Sequence, residues 1–180
     1  MADYTHHRAG LPLAQFKIEA RGLDAAALAT RYSSAFLLRQ PGTGAGAGMI
    51  LQTLTAHSAA ARADRPASPG LLEYHVHVLR RAGETRFGGD YIGIGRGENN
   101  DLVAEDASVS KFHAVVMQEK AAFLLSDAGS KNGTFLNDKP VPNYREGRSA
   151  PLRDGDAVRV GDVRFTFMVA ESLWRLLQRG

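Results

Sequence analysis

The chain has 180 residues, 44% apolar and 23% charged, enough for one well-buried domain plus an appendage but too few for two ordinary domains. Cysteine is absent, which excludes disulfides, thiolate chemistry and Cys-type zinc sites and is compatible with the cytoplasm. The net charge of +3 resides in residues 1–69, with seven Lys/Arg against four Asp/Glu, whereas 70–180 hold fifteen of each and show no basic stripe of the kind a nucleic-acid binder carries.

The opening "MADYTHHRAG" has no hydrophobic stretch behind its positive charge, so it does not read as a secretory signal. No apolar run reaches the roughly 20 residues of a membrane span. Residues 14–21, "AQFKIEAR", alternate apolar and polar and predict a half-buried strand. Gly22 ends it, and Asp24 is placed to cap a short helix over "AAALATRY" with Leu28 and Tyr32 on one face. "SAFLLRQ" fits either a helix or a strand, "PGTGAGAG" (41–48) reads as a flexible loop, and "MILQTLTA" fits either element. "AHSAAARADRPASPG" reads as a linker, with a domain boundary near Pro69. The expected organisation is an N-terminal α/β extension over 1–69, a domain over 70–170 and a helix over 171–180.

From Leu71 the character changes. "LEYHVHVLRR", "DYIGIGR", "FHAVVMQ", "AAFLLSD", "GTFLN", "DAVRV" and "VRFTFMV" are short, rich in Val, Phe, Tyr and Ile, and separated by Gly/Asp/Asn turns. That spacing predicts an all-β sandwich of mostly antiparallel strands. "RDGD" (153–156) and "VGDV" (160–163) are turns of the Asp-Gly kind. "AESLWRLLQRG" predicts a closing helix, with Ser172 as its cap and Leu173, Leu176 and Leu177 on one face.

Several chemistries fit poorly. "GIGRG" has no helix after it to cradle a phosphate, and "GTGAGAG" lacks the Lys-Ser/Thr of a P-loop. His75 and His77 share one face of a strand, but a metal needs a third ligand, so the pair is expected to face solvent. Ser110 and His113 do not make a hydrolase: no strained elbow surrounds the serine and no third group is nominated. His113 reads instead as a buried residue at a strand start whose ring nitrogens bond to backbone and fix the preceding loop. Neither a cofactor nor a metal is implied.

Two polar loops, "SVSKFHA" (108–114) and "DAGSKNGTFLN" (127–137), flank a single strand. Together with "GR" at 95–96, "NND" at 99–101 and "LRDGDAVRVG" at 152–161, this order and spacing resembles the forkhead-associated (FHA) domain, over roughly Leu71 to Val169. The resemblance implies a sandwich of about eleven strands whose loops at one end bind a phosphothreonine peptide. It implies that Arg96 and Ser110 are phosphate ligands, that Lys131 also reaches phosphate, and that Asn132 bonds the peptide backbone. By the same resemblance Ser108 and the adjoining Lys111 bear on sequence preference, while Gly95, His113, Gly133 and Asn137 are structural.

The physical chemistry agrees. A phosphothreonine brings about −1.5 to −2 charges and three strong acceptor oxygens. An arginine fork, a neutral hydroxyl and a compact ammonium suit it without any bond being broken. The expected role is a non-catalytic adaptor in Ser/Thr-kinase signalling, its partner a phosphothreonine protein that is a kinase or a kinase substrate. The alternative is a phosphorylation-independent scaffold using the sandwich face or the tail around Trp174. The N-terminal residues are expected to pack on the sandwich, dock a partner or carry phosphosites, with Thr30, Thr43, Thr53 and Thr55 as candidates.

Overall fold

The computed structural model describes residues 8–41, 73–81 and 91–179. In chain order these form β1 (Leu11–Pro12), α1 (Leu13–Glu19), α2 (Ala25–Arg31), β2 (Ala35–Arg39), β3 (His75–Val78), β4 (Tyr91–Gly95) and β5 (Leu102–Val103). There follow β6 (Ala114–Glu119), β7 (Ala122–Asp127), β8 (Thr134–Leu136), β9 (Lys139–Pro140), a 3-10 turn (Tyr144–Glu146), β10 (Ala150–Leu152), β11 (Ala157–Val160), β12 (Val163–Val169) and α3 (Ala170–Gln178).

The strands make two sheets, one of seven in the order β1-β3-β2-β12-β11-β8-β9 and one of five in the order β10-β7-β6-β4-β5. Every pairing is antiparallel except β4 with β5. Between the sheets lies one core, in which Leu37, Phe165, Phe167, Val158 and Val160 meet Ile92, Ile94, Val116, Phe123 and Leu125. This is the expected all-β sandwich, with twelve strands among the described residues.

A second core covers the outer face of the larger sheet. Phe36, Leu38, Val76, Val78 and Met168 pack there against Phe16, Leu28 and Tyr32 of the N-terminal helices and Leu173, Leu176 and Leu177 of α3. The closing helix therefore lays its apolar side on the sandwich, and Trp174 Nε1 donates to Leu23 O at 3.0 Å. Its start differs from expectation: Val169 is the cap residue, and Ser172 Oγ, inside the helix, donates to Asp154 Oδ2 at 2.6 Å.

Residues 14–21 are not a strand. Two positions along a helix are about 200° apart, so Phe16 and Ile18 take opposite faces. Phe16 is fully buried and Ile18 is 74% exposed, while Leu13, Phe16 and Ala20 recur at helical spacing on the packed side. The helix α2 follows as expected, with Asp24 Oδ1 accepting the Ala27 N–H at 2.7 Å. "SAFLLRQ" resolves to β2, whose first four residues are all buried because one face meets each core.

That strand also shows that the boundary expected near Pro69 does not separate the N-terminal residues from the sandwich. β2 is an interior strand, paired with β3 through Phe36↔Val78 and with β12 through Phe167↔Leu37. Beyond Pro41, the glycine-rich loop, the "MILQTLTA" segment and the linker lie outside the described residues, as do Thr43, Thr53 and Thr55. Thr30 lies in α2, where its Oγ1 donates to Ala26 O at 2.9 Å.

Ahead of β1 the chain crosses from one sheet to the other. Val103 N–H of β5 donates to Arg8 O at 2.8 Å, and three residues later Leu11 pairs with Val76 of β3. Between them Gly10, at φ +82°, sits over His77 so closely that a Cβ would lie 2.6 Å from Nε2. The expectation of a solvent-facing histidine pair fails here. His77 is fully buried beside Leu37 and stands edge-on to Phe165 at 5.6 Å, whereas His75 is half-buried at the strand end.

Candidate functional site

The loops that follow β4, β5 and β7 are stitched together at one end of the sandwich. Arg96 emerges directly from β4, and its N–H donates to Ser110 O at 3.0 Å. Gly97 N–H reaches Lys111 O at 3.1 Å. This approach is close enough that a Cβ on Gly95 would lie 2.4 Å from Lys111 O, so a glycine is required. Asn100, 4% exposed, closes the same joint by donating from Nδ2 to Gly97 O at 2.6 Å and to Lys111 O at 2.7 Å.

His113 performs the buried role expected of it. Its Nδ1 accepts the Ser110 N–H at 2.9 Å, which leaves the proton on Nε2 to donate to Gly133 O at 3.0 Å. One neutral ring thus ties the Ser110 loop to the 128–133 loop. Burial holds its pKa below the usual histidine value, against the opposing pull of Gly133 O and Asp127.

The second loop is folded around Asp127. Its Oδ1 accepts the Gly129 and Ser130 N–H groups at 2.7 and 2.9 Å, and its Oδ2 accepts the Ser130 and Thr134 hydroxyls at 2.5 and 2.7 Å. Burial raises this carboxyl's pKa, but the four hydrogen bonds outweigh it and the net shift is downward. The loop so shaped brings Lys131 N–H onto Ser110 Oγ at 3.1 Å and Asn132 Nδ2 onto Ser108 O at 2.7 Å. Gly133 turns the chain at φ +76°.

Arg96, Ser110, Lys131 and Asn132 are therefore brought together. Among the described residues the side chains of Arg96, Lys111 and Lys131 make no hydrogen bond or ion pair, and all three are exposed. Two carboxylates of the same loops are turned to backbone and hydroxyl donors: Asp101 Oδ2 accepts Gly93 N–H at 2.8 Å, and Asp106 Oδ1 accepts the Ser108 N–H and Oγ–H at 2.8 and 2.6 Å. Ser110 Oγ accepts from Lys131 and keeps its own hydrogen to donate.

Two residues sit apart from this group. Ser108 spends its hydroxyl internally, donating to Asp106 and accepting Asp162 N–H at 2.9 Å. Asn137 lies at the β8–β9 turn at φ +49°, where Nδ2 donates to Asp156 Oδ1 at 2.8 Å and Oδ1 accepts Ala157 N–H at 2.9 Å. Asn100 and Asp127 stand in the motifs at 99–101 and 127–137 without a task of their own. Their polar type gave no sign that one glues two loops and the other nucleates a third.

Residues 92–161 match the family model described as the FHA domain. The chain contains a forkhead-associated domain. A stretch of 74 residues is 38% identical to the glycogen accumulation regulator GarA of Mycolicibacterium smegmatis, covering 41% of this chain and 43% of GarA. Over 78 residues it is 36% identical to the transcriptional regulatory protein EmbR of Mycobacterium tuberculosis, covering 43% of this chain and 19% of EmbR. The chain thus spans less than half the length of these curated relatives.

Among solved structures, the FHA domain is similar to EmbR of Mycobacterium tuberculosis in complex with a low-affinity phosphopeptide. That match has 31% identity and a TM-score of 0.40, and covers 45% of this chain and 20% of the other. Another is a structure from a study of phosphothreonine-dependent FHA domain interactions, at 23% identity and a TM-score of 0.47, covering 76% of this chain and 97% of that one. Among the described residues no helix is long and apolar enough to cross a membrane.

Proposed function

We propose that the FHA domain recognises phosphothreonine in a partner polypeptide and acts as a non-catalytic adaptor in Ser/Thr-kinase signalling in the cytoplasm. One observation carries the reading: Ser110 receives the Lys131 N–H on its hydroxyl and the Arg96 N–H on its carbonyl, with both flanking cations lacking a partner among the described residues. A fork, a hydroxyl and an ammonium from three loops then face one dianion, each able to form a charge-assisted bond worth about 1.5–3 kcal/mol. Asn132 holds the peptide backbone beside the phosphate, and Lys111, exposed beside Ser110, bears on sequence preference. Ser108 acts there indirectly, by fixing Asn132 through its carbonyl.

The relatives' names support a regulatory rather than catalytic role, since they are called regulators and, in Corynebacterium diphtheriae, an oxoglutarate dehydrogenase inhibitor. The partner is a phosphothreonine protein, a kinase or a kinase substrate. Calorimetric titration with matched phosphorylated and unphosphorylated peptides tests this. Binding is expected only to the phosphorylated peptide and at least about thirtyfold weaker in Arg96→Ala or Ser110→Ala. Equal affinity for both peptides ends the proposal.

A further inference from the structure

Across the outer face of the seven-stranded sheet one row of residues runs Arg164 (β12), Arg159 (β11), Phe135 (β8) and Pro140 (β9), each directly opposite the next. Two like charges thus occupy directly opposed positions, where Cβ atoms are about 4.5–5.5 Å apart and the pair is destabilising. Among the described residues no carboxylate relieves them. Both arginines are half-exposed, beyond the part of this face that the helices cover.

Arg159 is held in place, its guanidinium 3.7 Å above the Phe135 ring and its Nη1 donating to Gly161 O at 2.8 Å. The row is continuous with the candidate site. Gly161 N–H donates to Gly133 O at 3.2 Å, and a Cβ on Gly133 would lie 3.0 Å from Phe135 Cε2, so the strip begins directly under the loop that carries Asn132.

We propose that the Arg159–Arg164 strip receives an acidic stretch of the same polypeptide that presents the phosphothreonine, an inference that rests on the phosphopeptide reading for its geometry. Charge complementarity selects the occupant, and continuity with the Asn132 loop places it on the chain already docked there. The contribution is electrostatic and half-exposed, so it weakens with salt.

The test uses the full chain and labelled phosphothreonine peptides flanked on one side or the other by a run of glutamates or of glutamines, plus an unphosphorylated glutamate-run peptide. At low salt the glutamate run on one side is expected to tighten binding about three- to tenfold, and Arg164→Gln to erase that gain while leaving the glutamine-flanked phosphopeptide unchanged. Arg159→Gln should do the same. Circular dichroism melting shows whether it stays folded, and Arg164→Gln decides if it does not. Equal affinity for glutamate and glutamine flanks on both sides, or a gain that survives Arg164→Gln, overturns the proposal. If the glutamine-flanked phosphopeptide fails to bind, the phosphopeptide reading falls. The strip is then judged by the unphosphorylated peptide: retention by the wild type but not by Arg164→Gln supports it, and no retention overturns it.

Discussion

His113 and His77 are both buried and neutral, and they do opposite things for the molecule. His113 uses both nitrogens on backbone partners from two different loops. Replacing it with alanine frees Ser110 N–H and leaves Gly133 O with the Gly161 N–H alone. The expected cost is about 1–3 kcal/mol in urea denaturation, and phosphopeptide affinity should fall although the ring touches no phosphate. His77 is sealed under Gly10, and burial, reinforced by the Arg39 charge, lowers its pKa from 6.5 to about 3. The unfolded chain therefore binds the extra proton first. Stability is unaffected by this group above pH 6.5 and declines as the pH falls from there towards about 3. Urea midpoints measured through that range should fall in the wild type and fall less in His77→Leu. The histidines also mark how far single residues can be read from sequence. His113 sat beside a polar loop with obvious partners, whereas period-two alternation in "HVHV" cannot tell an inner face from an outer one when both are covered.

At the scale of elements, β4, β6, β7, β8, β11 and β12 were legible because turn residues and short Val- and Phe-rich runs punctuate them, whereas β5, β9 and β10, of two or three residues each, are too short to show a period. α1 was not, because Phe16 and Ile18 mimic alternation and only the buried set Leu13, Phe16 and Ala20 reveals the helical period. Phe16 packs on Tyr32 and Phe36 at centroid distances of 5.0 and 5.9 Å, which makes it the pin between α1 and the outer face. Phe16→Ala should cost about 3–5 kcal/mol in equilibrium unfolding, and Ile18→Ala almost nothing. β2 was ambiguous for a related reason: a strand covered on both sides loses its polar beats and becomes a plain apolar run. The candidate loops were legible as a group because their residues lie close in sequence. Asn100 escaped because its work is done across loops, and Asp127 because its four bonds exist only once the loop has curled back on it.

For the whole molecule, the sandwich is assembled from both ends of the chain, with β2 seated between β3 and β12. A protein comprising residues 70–180 alone lacks β2 and therefore exposes Leu37's place in one core and Phe36's and Leu38's in the other. It is expected to lose cooperative thermal unfolding and to aggregate along the bared β12 edge, while a version beginning at residue 8 unfolds in one transition. Calorimetry on the two distinguishes these outcomes. The same seating governs how the protein is born. β2 leaves the ribosome long before β12, and although β3 can join one of its edges early, the other edge stays unpaired until β12 has been made. Folding therefore closes late, as a single event that follows delivery of β12, and the loops around Ser110 acquire their shape only then.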